Sequence, residues 1–167
     1  MDKLLEWMQW PSLKILMPEH SIIIVGPFPP PVTGLSTINE KMLNKIKSHG
    51  IDVIKLDTSS GTIDKNMGYM FQRIKSILRV MFYLIRYKVV NNTNLYCSVS
   101  GNLGKIFEII FIVIARLKMM KISLHHHSFL YINRNQFFAR LLFRVSGENS
   151  IHISLSDHMG ELFKKKY

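Results

Sequence analysis

Five short runs rich in branched apolar residues recur along this chain, and the segments between them carry a different period. The runs are SIIIVG (21–26), IDVIKL (51–56), NLYCSVS (94–100), KISLHHH (121–127) and NSIHISLS (149–156). Their length and their glycine or polar boundaries mark them as strands. SIIIVG is apolar at every central position, which suits a strand buried on both faces. After it, Leu35, Ile38, Met42, Leu43 and Ile46 fall at helical spacing. Thr37 and Glu40 are placed for a capping box at the start of that helix, and Gly50 stands just beyond its end. Further helices are predicted over 67–88, 105–120 and 135–145, with a short one running into FKKKY.

Regular alternation of strand and helix implies a parallel sheet covered on both faces, joined by right-handed crossovers. The predicted fold class is therefore α/β, a doubly wound, Rossmann-like sheet over residues 21–167. Residues 1–20 form an N-terminal extension. A chain of 167 residues suits one domain, and 47% apolar residues suffice for its core. In such sheets ligands sit beyond the carboxyl ends of the strands. The positions of interest are thus 26–36, 57–61, 101–102, 125–128 and 156–158.

The first of these, GPFPPPVTGLS (26–36), has four prolines between two glycines. Proline fixes φ and lacks an N–H, so the connection is predicted to be stiff and extended. Gly34 removes a side chain where the helix begins. A ligand could there approach the N–H groups of Leu35, Ser36 and Thr37, with the helix dipole attracting an anion. The plainer reading is a rigid connection whose glycine supplies a positive φ. Next, LHHHSF (124–129) places His125 and His127 on one face of the strand end and His126 on the other. A histidine at the mouth of the sheet can bond a hydroxyl or phosphate, or move a proton. A metal site would need a third ligand; His152 and His158 follow a different strand without diagnostic spacing, so no metal is expected. Packed histidines are the simpler reading, favoured for His126.

In the helix FQRIKSILRVMFYLIRYK (71–88), Ile74, Ile77, Leu78, Met81, Leu84 and Ile85 are predicted to face the core. Lys75, Arg79 and Arg86 lie opposite, as a solvated face or one that approaches anionic lipid. The chain as a whole has 22 Lys and Arg against 11 Asp and Glu, a net charge of +11. That excess suits an anionic membrane or a phosphorylated ligand. Nucleic acid is not expected, because zinc-finger spacing, RNP-type segments and basic-aromatic repeats are missing. The lone Cys97 excludes a disulfide framework and a paired-cysteine zinc or redox site. IFEIIFIVIARL (106–117) contains Glu108 and Arg116 and falls short of the ~20 apolar residues of a span, which predicts a buried helix. Asp2, Glu6 and the want of a small-residue cleavage site predict a cytoplasmic chain. Gly-x-Ser-x-Gly, P-loop and HExxH motifs do not occur, and Gly26 and Gly34 are too far apart for a dinucleotide fingerprint.

These pieces together resemble a family. GPFPPPVTGLSTINEKMLNKIKSHGIDVIKLDT (26–58) is similar to the first βαβ unit of GT-B glycosyltransferases of the family 4, or glycosyl transferase group 1, type. Members often begin with a G-x-x-P-P-x-x-G-G-like loop, a helix and then H-G-x-x-V; Ser48-His49-Gly50-Ile51-Asp52-Val53 resembles the last part. LYCSVSGNLGK, LHHHSF and IHISLSDHM agree with the later strands. The resemblance implies transfer of a sugar from a nucleotide-sugar to a glycan or lipid-linked acceptor, without metal or other cofactor, in cell-surface polysaccharide synthesis. It implies that the turn Thr33, Gly34, Leu35 and Ser36 reaches the donor phosphates, although Thr33 stands where many members have another glycine. It also implies that His127, or His125 in the alternative register, lies near the reacting sugar. The family's C-terminal domain, with most donor contacts and an E-x7-E-type motif, has no counterpart in these residues. The chain is then expected to match the acceptor-side half, inactive without a C-terminal partner domain, and peripheral at the inner face of the plasma membrane. The rival expectation is a non-catalytic, membrane-associated binding or scaffold domain of the same fold.

Overall fold

The structure is a computed structural model that describes residues 21–61, 67–89, 92–101, 104–133 and 137–166; the N-terminal extension lies outside them. Five strands form one sheet: β1 (Ile22–Gly26), β2 (Val53–Asp57), β3 (Asn94–Val99), β4 (Lys121–His126) and β5 (Ile151–Ser154). All neighbours pair in parallel, in the order β2-β1-β3-β4-β5. The predicted doubly wound α/β class is what forms. Register follows the apolar pattern: Val25 pairs with Leu56 on one side and Cys97 on the other, and Val99 pairs with His126.

The helices are α1 (Gly34–Lys47), α2 (Met67–Arg86), α3 (Lys105–Leu117), α4 (Leu130–Asn133), α5 (Phe137–Ser146) and α6 (Asp157–Lys166). They divide the core in two. On one face Ile22, Ile24 and Tyr96 pack with Phe28 and with Met42, Leu43 and Ile46 of α1. On the other, Ile23, Val25, Leu95 and Leu124 pack beneath α2, α3 and α5. Each such side chain taken from water stabilises the fold by about 1.5–3 kcal/mol, so the alternation of β1 and β3 commits both faces. α4 has no counterpart in the predicted elements; Leu130 opens it, and residues 134–136, the expected start of the following helix, lie outside the described part.

Two local expectations need correcting. The cap of α1 is Thr33, not Thr37: its Oγ1 accepts the Ser36 N–H at 3.1 Å, while Ser36 Oγ accepts the Thr33 N–H at 2.8 Å. Thr33 has the extended backbone that a cap requires, whereas Thr37 is already one turn inside and gives its N–H to the Thr33 carbonyl. In α2 the buried residues are Ile77, Val80 and Leu84, with Met81 half-buried. Ile74, Leu78 and Ile85 are exposed, at 47%, 57% and 55%. Together with Phe71 and Phe82 they form a second apolar stripe, at spacings of three and four residues, on the outside of the helix. The two apolar stripes lie on adjacent arcs, which merge into one on a helical wheel.

Among the described residues, no helix is long and apolar enough to cross a membrane. The run 106–117 folds as α3, with Phe111, Ile112 and Ala115 buried.

Candidate functional site at the strand ends

The chain leaves β1 for β2 on one side and returns to β3 on the other, so a crevice opens beyond the carboxyl ends of these three strands. A cavity of about 400 Å³ occupies it. Its walls come from Val25 to Pro27, Pro31, Thr33 and Leu35, from 58–60 after β2, from Ser98, Ser100 and Gly101 around the end of β3, and from α2 and α3. The positions expected after β1, β2 and β3 are thus brought together. Gly34, Ser36, His125 and His127 are not among the residues lining the cavity.

The proline loop forms the fixed wall. Phe28 is fully buried in the α1-side core, and the Lys55 ammonium lies 4.4 Å from its ring centroid. Asp57, at the end of β2, accepts the Phe28 N–H at 3.1 Å and the Ser59 N–H at 2.8 Å. Asn39 Nδ2 donates to the Pro27 carbonyl, and Ser36 Oγ to the Pro31 carbonyl, both at 2.8 Å. Residues 29–31 bend rather than run extended, and the Pro29–Pro30 and Pro30–Pro31 peptides are cis. Stiffness therefore comes from anchoring at Phe28, Pro27 and Pro31 as well as from the rings. Gly26 must be glycine for close approach: a Cβ there would stand 2.3 Å from Ser98 Oγ and 2.5 Å from Asn39 Nδ2.

Gly34 meets no such demand. A Cβ at Gly34 would find nothing within 4 Å, and its φ is not positive. The turn is open to solvent, yet the capping box takes the Ser36 N–H and the helix takes that of Thr37. The first helical positions, Gly34 and Leu35, carry the N–H groups that such a helix leaves to outside partners.

At the end of β4, alternation holds. His125 is buried and bonds Tyr96 Oη through Nδ1, and burial pushes its pKa down to about 3. His127, just past the strand, lies with its ring 4.0 Å from that of His125. Both nitrogens of His127 are shielded from solvent without a hydrogen-bond partner among the described residues, and burial lowers its pKa to about 4. It is thus a neutral imidazole over the physiological range. His126 faces the other way, against Phe143 and Phe163, with Nε2 2.9 Å from His152 Nδ1. Among the described residues, no three His, Cys, Asp or Glu side chains come together as metal ligands would.

The third wall is legible in sequence only at the expected positions after β3, where Gly101 lines the cavity and Asn102 lies outside the described residues. Glu108, on the first turn of α3, is buried beside the cavity; Oε1 accepts the Ser100 N–H at 2.8 Å, and Oε2 has no partner among the described residues. Burial raises its pKa to about 7, with hydrogen bonds from Ser100 and the charges of Lys105 and Arg73 opposing. Lys105 is itself buried, its Nζ donating to the Gly101 carbonyl at 2.7 Å, and burial lowers its pKa. Arg73 reaches in from α2, donating to Tyr69 Oη at 2.7 Å. For Glu108 itself the sequence signal is an acid inside an apolar run. No protein-family profile, curated protein or solved structure matches the chain.

Proposed function

We propose that this chain is the acceptor-side half of a GT-B-type glycosyltransferase, moving a sugar from a nucleotide-sugar to a glycan or lipid-linked acceptor in polysaccharide synthesis. The observation that carries the proposal is the cavity of about 400 Å³ at the switch point, walled by the same loop that resembles the family. A pocket of that size accommodates a sugar-sized group. In this reading the acceptor enters the cavity, and a C-terminal partner domain supplies most of the donor site. The turn Thr33, Gly34, Leu35 and Ser36 meets the donor phosphates through the Gly34 and Leu35 N–H groups, aided by the helix dipole. His127 is the polar group nearest the transferred sugar, and its nitrogens, without partners among the described residues, suit a hydroxyl there. Neither metal nor another cofactor has a part in the reaction as proposed.

The outer stripe of α2 supports contact with an anionic membrane. Phe71, Ile74, Leu78, Phe82 and Ile85 are exposed beside Lys75, Arg79 and Arg86, and the Arg86 guanidinium lies 4.3 Å from the Phe82 ring centroid. Apolar residues flanked by cations suit the headgroup boundary of an anionic bilayer, where a lipid-linked acceptor would be presented. The chain would then work at the inner face of the plasma membrane.

Titration with UDP- and GDP-sugars, alone and with a C-terminal donor domain, tests the reading. Binding and transfer are expected only with the partner. Transfer undiminished in His127→Ala would remove that residue from the reaction. Flotation should recover the chain with anionic but not neutral liposomes; failure with both would end the membrane proposal. A second reading, a non-catalytic binding domain of the same fold, is favoured by the capping box, which spends the Thr33 and Ser36 side chains internally. No turnover with any donor and partner would select it.

A further inference from the structure

We propose that the corner between β3 and α3 is a hydroxyl-binding site, in which Glu108 Oε2 and the Ser100 side chain hold a small polyol such as a pyranose. A buried carboxylate oxygen without a partner costs free energy in proportion to its desolvation, and native structures keep few of them. Glu108 and Ser100 both line the cavity; Glu108 is 8% exposed, its Oε1 is satisfied by the Ser100 N–H, and its Oε2 and the Ser100 Oγ are buried with no hydrogen-bond partner among the described residues. The site is built for close approach. A Cβ at Gly104 would stand 2.6 Å from Ser100 Oγ and 3.4 Å from Arg73 Nη2, so glycine leaves those groups room.

The chemistry selects a hydroxyl. Ionised, Glu108 accepts hydrogen bonds only; protonated, it also donates. Its pKa near 7 means that both forms are populated at neutral pH, and a hydroxyl partners either. An anionic ligand would meet the ionised form, and a cationic one would meet Arg73 and Lys105. Phe107, Phe111 and Ile77 also line the cavity and supply apolar surface for the C–H face of a sugar ring. Naming this ligand as the acceptor rests on the glycosyltransferase reading; the hydroxyl site itself does not.

The test is saturation-transfer NMR of the full chain with methyl β-glucoside and with N-acetylglucosamine. Saturation of ring protons is expected, with affinity lowered about tenfold in Glu108→Leu and within about threefold in Glu108→Gln, which keeps the hydrogen-bonding capacity. No transfer to either sugar, or equal affinity in Glu108→Leu, would overturn the proposal. Should Glu108→Leu fail to fold, the ¹³C carboxyl resonance of Glu108 in the wild type decides: it moves on sugar addition if the site is real and stays fixed if not. Sugar binding without any nucleotide-sugar response, alone or with a partner domain, would sink the enzyme reading and leave this site standing.

Discussion

Two walls of one cavity have been built on opposite plans. The β1–α1 loop is conspicuous in sequence, and almost every polar group in it is used internally. Thr33 and Ser36 cap the helix, Pro27 and Pro31 carbonyls are bonded by side chains, and Asp57 holds two backbone N–H groups. The β3–α3 corner is inconspicuous, yet Glu108, which lines the cavity, keeps a buried carboxylate oxygen without a partner among the described residues. The lesson is that a loop recognised by its prolines and glycines is a scaffold first. The proposed hydroxyl site lies instead where burial has not been matched by partners among the described residues.

The sharpest way to break that contrast is to remove the loop's anchor. Phe28→Ala should destabilise the chain by about 3–5 kcal/mol in denaturant titration, since the ring is fully buried. A loss under 1 kcal/mol would mean that the loop does not depend on its anchor. The opposite wall should reveal itself through pH. The folded pKa of Glu108 is raised above its ordinary 4.5 to about 7, so the folded state holds the extra proton and stability falls as pH rises through that window. At about 1.4 kcal/mol per pH unit the loss is on the order of 3 kcal/mol. The advantage of Glu108→Gln over the wild type should therefore grow between pH 4.5 and 7 and then level off. The buried histidines, whose folded pKa values are lowered, lose stability as pH falls below about 6.5; that contribution is common to both proteins and cancels. A difference independent of pH would contradict the burial of Glu108 as a functional feature.

How far the sequence carried follows the same division. The five strands and the two-faced core were legible because β-branched runs and helical spacing are imposed by burial, residue by residue, in β1, β3 and α1; the strand order was not. The outer stripe of α2 was not, because a wheel tells which residues are apolar and not which arc meets the sheet. Thr33 was overlooked as the cap because Thr37 and Glu40 offer the commoner spacing; only the extended backbone at Thr33 separates them. In the sequence Glu108 stands only as a flaw in an apolar run. Its partner Ser100 is eight residues away, and the space around it is made by α2 and by Gly104.

Smaller effects refine the comparison. Thr33→Ala should cost about 0.5–2 kcal/mol by thermal unfolding, the usual worth of an N-cap. Gly34→Ala should change stability by less than about 0.5 kcal/mol or raise it slightly, because nothing opposes a Cβ and alanine favours the helix. A large loss at Gly34 would show a close backbone approach that the geometry lacks.

The most direct test of the division of labour sets Gly34→Ala beside Glu108→Leu in titrations with methyl β-glucoside. Wild-type affinity is expected in Gly34→Ala and about a tenfold loss in Glu108→Leu. Loss in Gly34→Ala with Glu108→Leu unaffected would place the ligand on the loop and contradict that division.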